Sequence, residues 1–239
     1  QTTLLAALPP RFSGIALDFR GHGPAPRPPL ETVSVDTFAE DTIALVDSLG
    51  ITKAHFVGLS LGGVVAQLVH RKRPDLVGTL TLASSWARYP ADLAAACTAH
   101  LRARLADLPM LDGARRDLPS HFAPGTPAEI IAAAAAIEGS KGPDVFLASC
   151  LSMFEPDLTP DHARLTAPLL LLAGAHDPLT PLDPFLADIA RAVPASRLVL
   201  LKGAGHFSNL DHPADFNREL FSFLRQHPLR VPHRVTIGA

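Results

Sequence analysis

The chain has 239 residues, 47% of them hydrophobic and 18% charged, with a formal net charge of −2. That balance suits a globular chain with a sizeable core, and the lack of a basic stripe or an aromatic-interleaved Lys/Arg run argues against nucleic-acid binding. The longest apolar stretches are broken by charge, proline or glycine, so no membrane span is expected.

The first β-type run is "GIALDF", residues 14–19, ended by "RGHG". Apolar residues at Val35, Phe38, Ile43, Leu45, Val46 and Leu49 then recur at helical spacing, and Gly50 follows as a C-terminal cap. "AHFVG" reads as a buried strand running into Ser60. "LGGVVAQLVHRKRP" reads as a helix whose cationic end complements the helix dipole, and "LVGTLTLASS" as a further strand. Strands with unbroken apolar runs, alternating with helices, predict a mostly parallel sheet covered on both faces.

The alternation stops between residues 86 and 166. This stretch is rich in alanine and proline and carries helical patches such as "PAEIIAAAAAIEG" but no strong strand, so it reads as a helical insertion over the sheet edge. The α/β pattern resumes with "PLLLLAG", the helix "PLDPFLADIARAVP", the strand "RLVLLKG" and the helix "PADFNRELFSFLRQ". The expected organisation is a core in two parts, 1–85 and 167–227, the insertion 86–166, and a tail 228–239 without periodicity. Cys97 and Cys150 lie far apart without metal-ligand spacing and read as ordinary buried thiols. No metal or organic cofactor is expected. Because the chain opens on Gln1, the lack of a visible signal peptide says little; a cytoplasmic location is the expectation.

One pentapeptide raises a chemical question. Ser60 sits in "GLSLG", with Gly58 two places before it and Gly62 two places after. Such a stretch is either a plain turn or a nucleophile on a strained strand-to-helix elbow. A serine hydroxyl needs a base, and the base needs an orienting acid. In an open parallel sheet, ligands bind beyond the carboxyl ends of the strands. Asp177 follows "LLLLAGAH" and His206 follows "LVLLKGAG", so both project from the same edge as Ser60, in the chain order expected with the elbow. Each alone has a bland reading: Asp177 as a turn starter before Pro178, His206 as a loop histidine. Three matched placements favour the triad. His176, His55, His212 and His22 are weaker candidates for the base.

"LDFRGHG", "HFVGLSLGG", "LLAGAHDPLTP" and "GAGHFSNLDHPADFN" together resemble the α/β-hydrolase superfamily over nearly the whole chain, with 86–166 as its helical lid. The resemblance implies Ser60 as nucleophile, Asp177 as acid, His206 as base and the Leu61 N–H as one oxyanion donor. A serine rather than an aspartate at the elbow points away from dehalogenases and epoxide hydrolases. "GHFSNLDHPADFN", "AHFVGLSLGG" and "SSWARYP" are similar to 3-oxoadipate enol-lactonase, which implies cleavage of a small-molecule ester or lactone through an acyl-enzyme. A C–C bond hydrolase on the same triad and a non-catalytic scaffold are the alternatives. Trp86, Arg88 and Phe207, with Phe122 and Phe146, are candidate substrate contacts, each of which also reads as plain core or solvated surface. Pro24 stands where the family usually has serine, a loop variation without catalytic meaning. The family's oxyanion loop precedes a helix that "QTTLLAALPPRF" resembles. That loop and the strands before it are therefore expected upstream of Gln1. The sheet is then expected to show a gap, or a direct pairing of 14–19 with 54–58.

Overall fold

The computed structural model describes residues 2–23 and 27–229; Pro24 and most of the tail expected after Pro228 lie outside the described residues. Four parallel strands form one sheet in the order β1-β2-β3-β4: β1 Ala54–Leu59, β2 Val77–Ala83, β3 Leu169–Gly174 and β4 Arg197–Leu201. Ten helices accompany them among the described residues. In chain order these are α1 Thr2–Ala6, α2 Val35–Ser48, α3 Leu61–Lys72, α4 Ala91–Asp107, α5 Met110–Asp117, α6 Ala128–Gly139, α7 Pro143–Ser152, α8 Phe185–Ala192, α9 Ser208–Asp211 and α10 Pro213–Gln226.

The sheet explains the apolar runs. Side chains alternate across a strand, and both faces are covered. Leu169 and Leu171 of β3 point into a core with Phe38 of α2, Val64 and Leu68 of α3 and Ile189 of α8. Leu170 and Leu172 point into a second core with Phe216, Leu220 and Phe223 of α10. Leu170, Leu171 and Leu172 are all fully buried, and each contributes about 1.5–3 kcal/mol by leaving water.

Helix ends follow local chemistry. Ser34 caps α2 by accepting the Thr37 N–H at 3.2 Å, a cap worth about 1 kcal/mol. Gly50 follows that helix at φ 65°, a left-handed conformation in which glycine pays no Cβ penalty. The stretch between β2 and β3 contains α4 to α7 and two 3₁₀ turns, Leu118–His121 and Thr159–Arg164. No described helix is long and apolar enough to cross a membrane. Cys97 and Cys150 are not bonded to each other.

One expected strand is absent. Residues 14–19 have a β-type composition but form no ladder, and Ile15 is half exposed. A strand is held by its neighbours' backbone groups, and among the described residues β1 pairs only with β2. Of the two arrangements expected for this edge, direct pairing of 14–19 with β1 does not occur.

Candidate active site

Ser60 links β1 to α3 at φ 54° and ψ −121°. This is left-handed backbone on a residue with a Cβ, a conformation that costs on the order of 1–3 kcal/mol and persists only when its surroundings over-determine it. The surroundings are visible. The Ser60 N–H donates to the Ala83 carbonyl of β2 at 2.9 Å. Its carbonyl accepts from the Gly63 N–H at 2.9 Å and from the Ser85 hydroxyl at 2.9 Å. A Cβ on Gly58 would strike the backbone of Gly62 and Gly63, and one on Gly63 would strike the Ser85 side chain. The elbow therefore closes because the chain has no side chain at 58 or 63. Leu61 opens α3, so its N–H is among those of the first turn that have no partner within the helix.

Asp177 lies just past β3 and is 5% exposed. Its Oδ1 accepts the N–H groups of Leu179 at 2.9 Å and Thr180 at 3.0 Å, and its Oδ2 accepts the Thr180 hydroxyl at 2.6 Å. His206 lies just past β4, is 3% exposed, and places Nδ1 at 3.0 and 2.9 Å from the two Asp177 oxygens. Burial alone would raise the Asp177 carboxyl. The hydrogen bond and charge of His206, with the Thr180 donors, outweigh it and hold the group well below the usual carboxylate range. An ionised carboxylate only accepts, so His206 Nδ1 donates and Nε2 is left as the proton-accepting nitrogen. All hydrogen-bond contacts of the ring among the described residues are at Nδ1; the Ser60 hydroxyl is not bonded to Nε2 here. Such bonds are often long in unliganded sites and tighten around substrate.

The sequence matches the alpha/beta hydrolase family over residues 1–219. The chain belongs to that family. The hydrolase is 31% identical over 229 residues to a protein named as a carbamate hydrolase, RutD, of Pseudomonas savastanoi pv. phaseolicola, with 92% of this chain and 86% of that protein covered. It is 28% identical to 3-oxoadipate enol-lactonase 2 of Acinetobacter baylyi, over 90% of this chain and 80% of that protein. Among solved structures it resembles a thermophilic esterase from Thermogutta terrifontis, described with malate bound: TM-score 0.78, 27% identity, 88% of this chain and 79% of that chain. This alpha/beta hydrolase is accordingly an enzyme.

The remaining expected contacts fall in different places in the hydrolase. Trp86 is 2% exposed and packed among Tyr89, Phe154 and Phe185, its indole N–H reaching the Met153 carbonyl at 3.4 Å. It is a core residue because the residues just past β2 pack onto Phe185 of α8. Phe146 is buried beneath Arg104 and Lys141. Arg88 is exposed and lines a cavity of about 600 Å³ with Thr159, His162, Phe185 and Arg191, and Ser60, Asp177 and His206 do not line it. Phe207 stands edge-on to His206 at 5.1 Å and meets Phe122 at 5.0 Å. Of the other histidines, His55 bonds Thr79 at 2.8 Å, His22 faces the Arg20 carbonyl at 3.3 Å and His176 is exposed.

Sequence reasoning missed four participants. Thr180 and Ser85 were invisible because short polar residues after strands are common. Gly63 was overshadowed by Gly62, the motif's own glycine. His121 lies between β2 and β3, 85 residues before His206, yet its carbonyl accepts the His206 N–H at 2.8 Å. Burial, reinforced by nearby His206, pushes its imidazole down to about 4.

Proposed function

We propose that this hydrolase cleaves an ester or lactone of a small carboxylic compound through Ser60, His206 and Asp177. The observation that carries the reading is the buried, carboxylate-bound His206 past β4, on the same sheet edge as the strained Ser60 past β1. In this mechanism Nε2 of His206 takes the Ser60 proton as Oγ attacks the carbonyl carbon. Asp177 holds the tautomer and stabilises the imidazolium. The oxyanion binds the Leu61 N–H, and a donor of this kind contributes roughly 3 kcal/mol to the transition state. His206 then protonates the departing alcohol. Water, deprotonated by the same nitrogen, releases the acid and restores Ser60. The helices between β2 and β3 serve as the lid, with Phe207 and Phe122 forming an apolar wall beside the base.

The relatives named as an enol-lactonase and an esterase support the substrate class, and so does the malate described with the latter. A carbamate is the second reading, favoured by the 31% identity to the protein named RutD. A fluorophosphonate probe tests the site: labelling of the intact chain, lost in Ser60→Ala, supports it, and no labelling of the wild type ends it. Turnover of a panel of lactones, methyl esters and carbamates then ranks the substrate readings.

A further inference from the structure

Asp211 lies five residues after the base and takes no part in the triad, yet its side chain is completely buried. Burying a carboxylate is costly unless donors surround it. One oxygen, Oδ2, accepts two backbone N–H groups: Gly205, immediately before the base, at 2.9 Å, and Ala123, in the segment that links α5 to α6, at 3.0 Å. Its other oxygen faces His212 Nδ1 at 3.4 Å. A third bond runs between the same two segments, from the His206 N–H to the His121 carbonyl at 2.8 Å. The backbones approach so closely that a Cβ on Gly205 would strike Ala123 N, His121 O and the Phe122 carbonyl carbon at 2.6–2.7 Å. Phe122 packs against Phe207 beside this seam, in a cluster with Leu118 and Leu210.

We propose that Asp211 is a positioning residue: its carboxylate latches the 121–123 segment to the loop that carries His206, so that the helical insertion sets the place of the base. This rests on the reading of His206 as the base. Asp177 fixes the imidazole from within the core, and Asp211 fixes the backbone beneath it from the insertion side. The latch also pins the insertion at this point. Any movement that admits substrate must occur elsewhere along it, because lifting 121–123 would withdraw the acceptor of the His206 N–H.

The test compares full-length wild type, Asp211→Ala, Asp211→Asn and Gly205→Ala. Asparagine keeps one oxygen that can accept both amides. Gly205→Ala drives the two segments apart with Asp211 intact, and stands in if Asp211→Ala does not fold. Site-resolved hydrogen exchange is read at Ala123, Gly205 and His206, with the β3 amides as the global reference. kcat and KM for p-nitrophenyl acetate are read per fluorophosphonate-titrated site. In Asp211→Ala, exchange at the three amides should rise at least about tenfold while β3 is unchanged. kcat should fall by about 10- to 100-fold, the range expected for misplacing a catalytic group, with KM within about threefold, and Asp211→Asn should recover most of the loss. Gly205→Ala should reproduce both effects. Unchanged exchange at the three amides overturns the latch, as does local exchange that rises while kcat stays within about twofold of wild type. If the wild type neither turns over nor labels, the reading of the base has failed, and the exchange result alone then upholds or overturns the latch.

Discussion

His206 Nδ1 is held between both oxygens of Asp177, 3.0 Å from Oδ1 and 2.9 Å from Oδ2, and the Thr180 hydroxyl donates to Oδ2. The pair is buried, and every donor around the carboxylate favours its ionised form. An amide in its place would present N–H to Nδ1 and stabilise the wrong tautomer, removing the proton acceptor from Nε2. On the proposed mechanism, Asp177→Asn should therefore lower kcat by about 10⁴, the loss typical of a triad carboxylate turned into an amide. Steady-state kinetics on the labelled-site concentration checks this, and near-full activity would mean that another carboxylate orients the base.

The two glycines of the pentapeptide should behave oppositely. A Cβ on Gly58 meets backbone of Gly62 and Gly63, which cannot move without opening the elbow, whereas one on Gly62 meets nothing within 4 Å. Gly58→Ala should cost at least about 3 kcal/mol of stability, the upper range for overpacking. Gly62→Ala, inside α3, should be neutral or up to about 1 kcal/mol stabilising, since alanine is the better helix former. Urea unfolding of both variants checks the pair, and equal losses would refute the steric account.

These two cases show what the sequence could and could not convey. β1 to β4, α3 and the three residues past the strand ends were legible because each rests on local pattern: an apolar run, a glycine, a reactive side chain directly after a strand. Residues 14–19 failed as a strand because pairing is decided by neighbours, not by composition. Trp86 was ambiguous because a large aromatic just past a strand serves core and pocket alike, and only its packing against Tyr89, Phe154 and Phe185 decides. His121, Asp211 and Thr180 act through contacts, two of them across distant segments, that no spacing rule reveals.

His121 gives the hydrolase a pH-dependent stability. Its folded value, pushed by burial down to about 4, lies below the ordinary histidine value of 6.5. The unfolded chain therefore binds the proton first, and stability falls as pH drops from about 6.5 to about 4, with no further loss from this group below that. The share is about 2 to 3 kcal/mol between pH 7 and 4.5. Asp177 is also shifted down, but from the carboxylate range: the stability it adds is lost only as pH falls below about 4, so it does not confound this window. The difference in unfolding free energy between pH 7 and 4.5 should shrink by that share in His121→Asn. An unchanged difference would show that His121 is not neutralised by folding.

Arg88 separates the candidate active site from its surroundings. It is exposed, and it shares its cavity of about 600 Å³ with Thr159, His162, Phe185 and Arg191 rather than with Ser60 or His206. A substrate carboxylate paired with Arg88 would have to span from that cavity to the elbow, whose residues do not line it. A solvated guanidinium outside the site contributes little to binding through water. Arg88→Ala should therefore leave kcat/KM within about twofold for neutral and for anionic esters alike, since a lost ion pair with substrate would cost at least about tenfold. Parallel kinetics on a methyl ester with and without a free carboxylate checks this, and a selective loss on the anionic ester would bring Arg88 into the binding site after all.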